Sequence, residues 1–215
     1  MTEILDFLFA HYASYSTLDI WLEVISTVFA LLSVYYATRE NIWVYPTGLI
    51  GTGIAVYVCL NAGLFGDMGI NVYYFIMSIY GWFMWARPTK EQVVLPISSH
   101  TKQERLLSIS MLLVFFLILA YVLKNFTPST VPYIDAFTTS IFFVGMWEMA
   151  RKKLENWVYW IVGDLISIPL YHYKGLTIYS IQFLIFTILA TKGYLDWRKK
   201  LAGEKMDKMI DGVQQ

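Results

Sequence analysis

Charge is what this chain has least of. Lys, Arg, Asp and Glu make up 15% of its 215 residues, against about a quarter in an ordinary soluble domain, which excludes a water-solvated fold of this size. Cysteine is almost missing: Cys59 alone cannot form an internal disulfide. Inside an apolar run and away from any histidine cluster, it offers no zinc site and reads as a buried structural thiol. A cleavable signal is excluded because MTEILDFLFAHYASYS opens with acids where a signal carries Lys or Arg. Ile4, Leu5, Leu8 and Phe9 instead read as a short amphipathic segment, residues 1–19, resting at a membrane surface. No P-loop, HExxH or GxSxG occurs, and His11, His100 and His172 are dispersed. Enzyme chemistry, a metal or cofactor, a nucleic-acid partner and a self-contained ATP-driven pump therefore have no support in this sequence.

What is present is apolar and aromatic. Hydrophobic residues reach 57% and aromatic ones 18%, with a mean hydropathy of +0.52. Apolar runs long enough to cross about 30 Å of hydrocarbon recur at 20–38, 42–61, 67–86, 105–123, 133–150, 157–173 and 176–195. The expected class is an all-α polytopic membrane protein with seven transmembrane helices. Pro46, Gly48, Gly51, Gly53 and Pro169 inside these runs suit a lipid-embedded bundle, where small residues admit close backbone approach. The polar stretch 87–104, with two prolines, reads as a hinge or linker. Alternating the seven runs across a bilayer puts 14 Lys and Arg on one side and Lys124 and Lys174 on the other. By the positive-inside rule, the N-terminus is outside and the C-terminus cytoplasmic.

The chain also repeats itself. Glu40–Tyr45 (ENIWVY), ending at Gly48, resembles Glu155–Trp160 (ENWVYW), ending at Gly163. Gly63-Leu64 precedes Gly81 and Trp85 as Gly175-Leu176 precedes Gly193 and Trp197. The offset is 115 at the first match and 112 at the second. The expected units are residues 20–86 as repeat 1, 87–132 as loop and linker helix, 133–198 as repeat 2, and 199–215 as a basic cytoplasmic tail. Three crossings invert the chain and a fourth restores it, so this 3+1+3 plan makes the repeats parallel. Parallel-repeat transporters place their substrate path between the repeats.

A carboxylate in hydrocarbon costs about 2–4 kcal/mol, which draws attention to Asp164 in WVYWIVGDLISIPLY. Trp157, Trp160 and Asp164 stand at i, i+3 and i+7, on one helix face. Two indoles and one carboxylate suit a flat, cationic, aromatic ligand. They equally suit two interfacial belt residues and a carboxyl bonded to a neighbouring helix. Asn71 and Gln182, near equivalent places in the repeats, either line a central path or bond helices together. Glu40 and Asn41, like Glu155 and Asn156, read as capping and solvated pairing beside Arg39 and Lys152. Glu148 reads as a local partner of Arg151 and Lys152, and Asp67 as an N-cap. Glu23 has no assignment.

WVYWIVGD matches WxxWxxx(N/D), and with ENWVYW, ISIPLYHYKGL and DMGINVYYFIMSIYGWFMW the chain resembles the PnuC family of bacterial vitamin transporters over about residues 20–198. That resemblance implies a SWEET-like fold, a homotrimer in membrane lipid, and facilitated diffusion of nicotinamide riboside, with branches taking thiamine or riboflavin. It also implies trapping of the imported vitamin by a cytoplasmic kinase. Carried over by position, Trp157, Trp160 and Asp164 would hold the ligand, with Asn71 and Gln182 as polar partners. Repeat 1 departs from the motif, with Trp43, Pro46 and Thr47 in its place, so a one-sided aromatic site is expected. A receptor or scaffold without transport is the alternative from another class.

Overall fold

A computed structural model describes residues 17–61, 65–87 and 95–213. The amphipathic segment expected before residue 17, and the Gly63-Leu64 pair of the repeat, lie outside the described residues. Among the described residues seven helices follow one another: α1 Thr17–Thr38, α2 Val44–Asn61, α3 Phe65–Ala86, α4 Lys102–Phe126, α5 Pro132–Ala150, α6 Asn156–Tyr173 and α7 Thr177–Val213. The described residues contain no strand beyond a single bridge between Ser98 and Lys153. By length and apolar composition alone, α1, α2 and α4 are able to cross a membrane. The other helices are as long, and α3 and α6 carry many Tyr and Trp rings. Residues 199–213 of the expected basic tail are helical, because α7 continues through them to Val213.

Local sequence sets the ends. Thr101 and Glu104 form a capping box that opens α4: the Glu104 amide donates to Thr101 Oγ1 at 3.2 Å, and the Thr101 amide to Glu104 Oε2 at 2.9 Å. Pro132 opens α5, where its missing N–H costs nothing. Gly175, at φ +76°, makes the left-handed turn between α6 and α7. Asp67 is not an N-cap. Helix α3 begins two residues earlier, at Phe65, which leaves Asp67 inside the first turn.

The helices close into a ring. α1 packs on α2, α2 on α3, α3 on α5, α5 on α6, α6 on α7, and α7 returns to α1. α4 stays outside this ring, against α5. Its outward residues, among them Leu106, Leu113, Leu117 and Tyr121, are more than half exposed to the surroundings, as a lipid-facing helix requires. The tightest apolar packing lies at the end of the ring holding the α1–α2 and α5–α6 turns. Ala37, Tyr45, Trp85, Met149, Trp157 and Trp197 are all buried there.

Segment 95–100, expected as part of a loose linker, is docked. The Ser98 amide donates to Lys152 O and the Leu154 amide to Ser98 O, at 3.1 and 2.9 Å. Ile97 is buried. His100 Nε2 stands 2.8 Å from Glu148 Oε2, with both side chains almost wholly enclosed. The Ser108 hydroxyl also donates to Glu148. Glu148 therefore is not a local partner of Arg151 and Lys152. Arg151 and Lys153 instead pair with Glu104, and Lys152 with Glu40. A fully buried carboxylate needs partners inside the protein, and tertiary packing brings it two from distant segments.

Candidate ligand site inside the ring

Helix α6 carries the site. Its Trp157, Trp160, Asp164 and Ser167 fall at i, i+3, i+7 and i+10, one stripe running down the inner face. Trp157, Asp164 and Ser167 are buried. Pro169 lies beyond Ser167 on α6, and there the Ser180 hydroxyl of α7 donates to Ile168 O at 2.8 Å.

Aromatic rings from three other helices enclose the middle of the stripe. Phe142 of α5 stacks on Trp160 with centroids 5.5 Å apart, and Phe183 of α7 stacks on Phe142 at 5.9 Å. Tyr74 of α3 is tilted against Trp160 at 6.4 Å, and Tyr171 against Phe183 at 4.9 Å. Gly163 lets this cage close, because a Cβ there would meet the Phe142 ring at 2.3 Å.

The polar atoms of the stripe lack partners. Asp164 Oδ2, Ser167 Oγ, and the indole nitrogens of Trp157 and Trp160 are enclosed and make no hydrogen bond. Most buried polar groups are bonded, and these four bare ones share one helix face. The arrangement offers two indole donors, one hydroxyl and one carboxylate oxygen beside stacked rings.

The residues expected at the site separate into two groups. Trp160 and Asp164 come together as their spacing predicts. Trp157 is on the same stripe but deeper in the packed end, edge-on to Trp197 with centroids 5.5 Å apart. Asn71 does not face Asp164 with a free amide: its Nδ2 donates to Asp67 O of its own helix at 2.9 Å. Gln182 is half-buried on α7, next to Phe183 of the cage. Ser167 escaped sequence reading, although i+3 from Asp164 is its signal. Phe142, Tyr74 and Phe183 arrive from other helices, and nothing in their local sequence marks them.

Other expectations are corrected here. Glu40 is not solvated: it pairs with Lys152 at 2.8 Å across the ring. Glu155 Oε1 accepts the His100 amide at 3.0 Å. Glu23, unassigned from sequence, accepts a hydrogen bond from the Tyr179 hydroxyl. Cys59 is a half-buried free thiol.

Comparison with known proteins decides what kind of molecule encloses this site. The sequence model of the nicotinamide mononucleotide transporter family matches residues 20–199. The chain belongs to that family. It is 26% identical over 202 residues to the nicotinamide riboside transporter PnuC of Escherichia coli, covering 82% of this chain and 84% of the relative. It is 25% identical over 181 residues to the riboflavin/roseoflavin transporter RibM of Streptomyces davaonensis, covering 83% and 84%. The crystal structure of the vitamin B3 transporter PnuC superposes with a TM-score of 0.66, at 24% identity, covering 91% of this chain and 88% of that one. The seven-helix fold is therefore the fold of that transporter. The relatives are transporters and not enzymes, and this member is a multi-pass bacterial membrane protein of the same kind.

Proposed function

We propose that the chain is a uniporter for a small cationic aromatic vitamin, with nicotinamide riboside the first candidate. The observation that carries this is the buried, unpartnered Asp164 Oδ2 beside the Trp160–Phe142 stack. A flat cation between those rings gains stacking and a cation–π contact, and its charge meets the one carboxylate of the stripe. Ser167 and the Trp160 indole nitrogen would bond hydroxyl groups of the substituent. A phosphorylated ligand fits poorly. Neither Lys nor Arg occurs on α6 before its C-terminal end, and Asp164 would repel a phosphate. The nucleoside is thus favoured over the nucleotide. Riboflavin, an uncharged ring system, would leave Asp164 without a counter-charge. Thiamine, which carries a thiazolium, is the alternative that satisfies the same carboxylate.

The parallel 3+1+3 repeat is supported by interactions that recur 112 residues apart. Trp85 Nε1 donates to Met149 O and Trp197 Nε1 to Ala37 O, at 3.3 and 3.1 Å. Tyr45 meets Trp85 edge-on at 5.2 Å, as Trp157 meets Trp197 at 5.5 Å. In this register Gly48 and Thr52 stand opposite Trp160 and Asp164, three residues from the match suggested by ENIWVY and ENWVYW. The ligand site is then one-sided, with small residues facing an aromatic cage. Two triplets rocking about such a site would give alternating access without a coupling ion. Positive charge favours a cytoplasmic C-terminus in the bacterial inner membrane. Association as a homotrimer and trapping by a cytoplasmic kinase complete the picture.

Proteoliposomes containing only this protein test it. Labelled nicotinamide riboside should equilibrate across the bilayer without accumulating, and competition by thiamine and riboflavin should rank the ligands. Concentrative, pH-dependent uptake without a kinase would contradict uniport. Failure of all three vitamins to equilibrate would favour a receptor or scaffold.

A further inference from the structure

We propose that Glu40, Lys152, Trp85 and Trp197 form a latch that holds one end of the central path shut; this rests on the transport reading above. The latch grows from two matching turns. In the α1–α2 turn, the Glu40 amide donates to Ala37 O and the Asn41 amide to Tyr36 O. In the α5–α6 turn, the Lys152 amide donates to Met149 O and the Lys153 amide to Glu148 O. Each turn holds one non-glycine residue in the left-handed region, Glu40 at φ 53° and Lys152 at φ 51°. Side chains rarely accept that conformation, and strained positions of this sort cluster at switches. Here the two strained residues are each other's ion-pair partners, at 2.8 Å.

This is not an ordinary surface bridge. Lys152 is 1% exposed, and its ammonium lies over the Trp85 ring, 4.4 Å from the centroid. Burial pulls its pKa below the ordinary lysine value, and the Glu40 carboxylate opposes that pull. Lys200 of α7 takes the second oxygen of Glu40. Trp85 and Trp197 face one another at 6.1 Å, between the two turns.

Each tryptophan bond and the ion pair cross between the triplets. Trp85 of α3 bonds the end of α5, Trp197 of α7 bonds the end of α1, and Lys152 pairs with Glu40. The neighbouring ring-on-glycine contacts, Tyr45 with Gly81 and Trp157 with Gly193, stay within a triplet. A rocking motion that parts the triplets at this end must therefore break the first set and can keep the second. The opposite end is held by different chemistry, including the Tyr179–Glu23 bond between α7 and α1. Loosening the latch should accordingly admit reagents from one face only.

A reporter cysteine reads that directly. In a Cys59→Ala background, Ser167→Cys sits on the inner face of α6, ten residues from Trp157 and the packed end. Its modification by a membrane-impermeant thiol reagent is timed from each face of sided vesicles. Glu40→Gln and Lys152→Gln should each accelerate labelling about fivefold from the face that bears the α7 end, the scale on which removing a single polar interaction shifts a two-state equilibrium. The double variant Glu40→Gln with Lys152→Gln should label no faster than either single variant, because the two residues act through one contact. Trp197→Phe, which keeps an aromatic ring and removes the donor, should accelerate labelling too. Parent-like labelling in all single variants, or a double variant whose acceleration is the product of the two singles, overturns the latch. Labelling does not need a transported vitamin, so a chain that gates but carries nothing would sink the transport proposal alone.

Discussion

Trp157 lies flat against the backbone of Gly193: a Cβ built there would sit 2.6 Å from the indole ring. Tyr45 bears on Gly81 in the same way, at 2.3 Å. Real Cβ atoms do not approach this closely, so the two rings are seated only because those helix positions carry hydrogen. Gly193→Ala and Gly81→Ala should each destabilise the protein by about 1–3 kcal/mol, the cost of overpacking. Thermal unfolding in detergent measures this, and an unchanged midpoint in both would mean the rings are free to step aside.

Trp160→Ala and Asp164→Ala should each weaken vitamin binding by about 1–3 kcal/mol, the scale of a desolvated cation–π contact or a missing stack. Calorimetry with nicotinamide riboside and thiamine checks it. Asp164→Asn adds a sharper test, because it keeps the shape and removes the charge. It should cost more affinity for a cationic ligand than for riboflavin. Equal effects on both would show that the carboxylate is not a counter-ion.

His100→Ala should destabilise by about 1–3 kcal/mol, the cost of leaving a buried polar group short of a partner, since Ser108 still bonds Glu148. The variant should also release segment 95–100, making it more open to proteolysis. A protein as stable as the parent would show that the docked segment is held by Ser98, Ile97 and the His100 amide bond to Glu155 alone.

At Gly175 nothing lies within 4 Å of an added Cβ, but φ is +76°. Gly175→Ala should therefore cost only backbone strain, about 1–2 kcal/mol, with vitamin affinity unchanged. A larger drop in stability, or any drop in affinity, would tie this turn to the site itself.

The helices are legible in the sequence because a membrane span is a matter of length and apolarity, both local properties. The Trp160–Asp164 stripe is legible for a related reason: spacing within one helix fixes a shared face. What packs against that face is not, since Phe142 and Tyr74 reach Trp160 from other helices. Glu148 misleads because the i+3 and i+4 rule names candidates within the helix, while burial to 0% exposure demands partners from elsewhere. Of the two offsets legible in the letters, 112 agrees with the contacts made by Trp85 and Trp197, and 115 does not. Similar letters around ENIWVY and ENWVYW outweigh the turn geometry that sets Glu40 in the place of Lys152.

Helix α7 has 37 residues, or about 55 Å at 1.5 Å per residue, nearly twice the hydrocarbon thickness. A rod that starts beside Glu23 and closes the ring against α1 is a pointer as well as a wall. With roughly 25 Å of it beyond the packed end, a tilt of about ten degrees sweeps the far tip through about 4 Å. If the triplets rock as proposed, the motion of a site hidden among rings is written, enlarged, where a solvent-borne probe can read it.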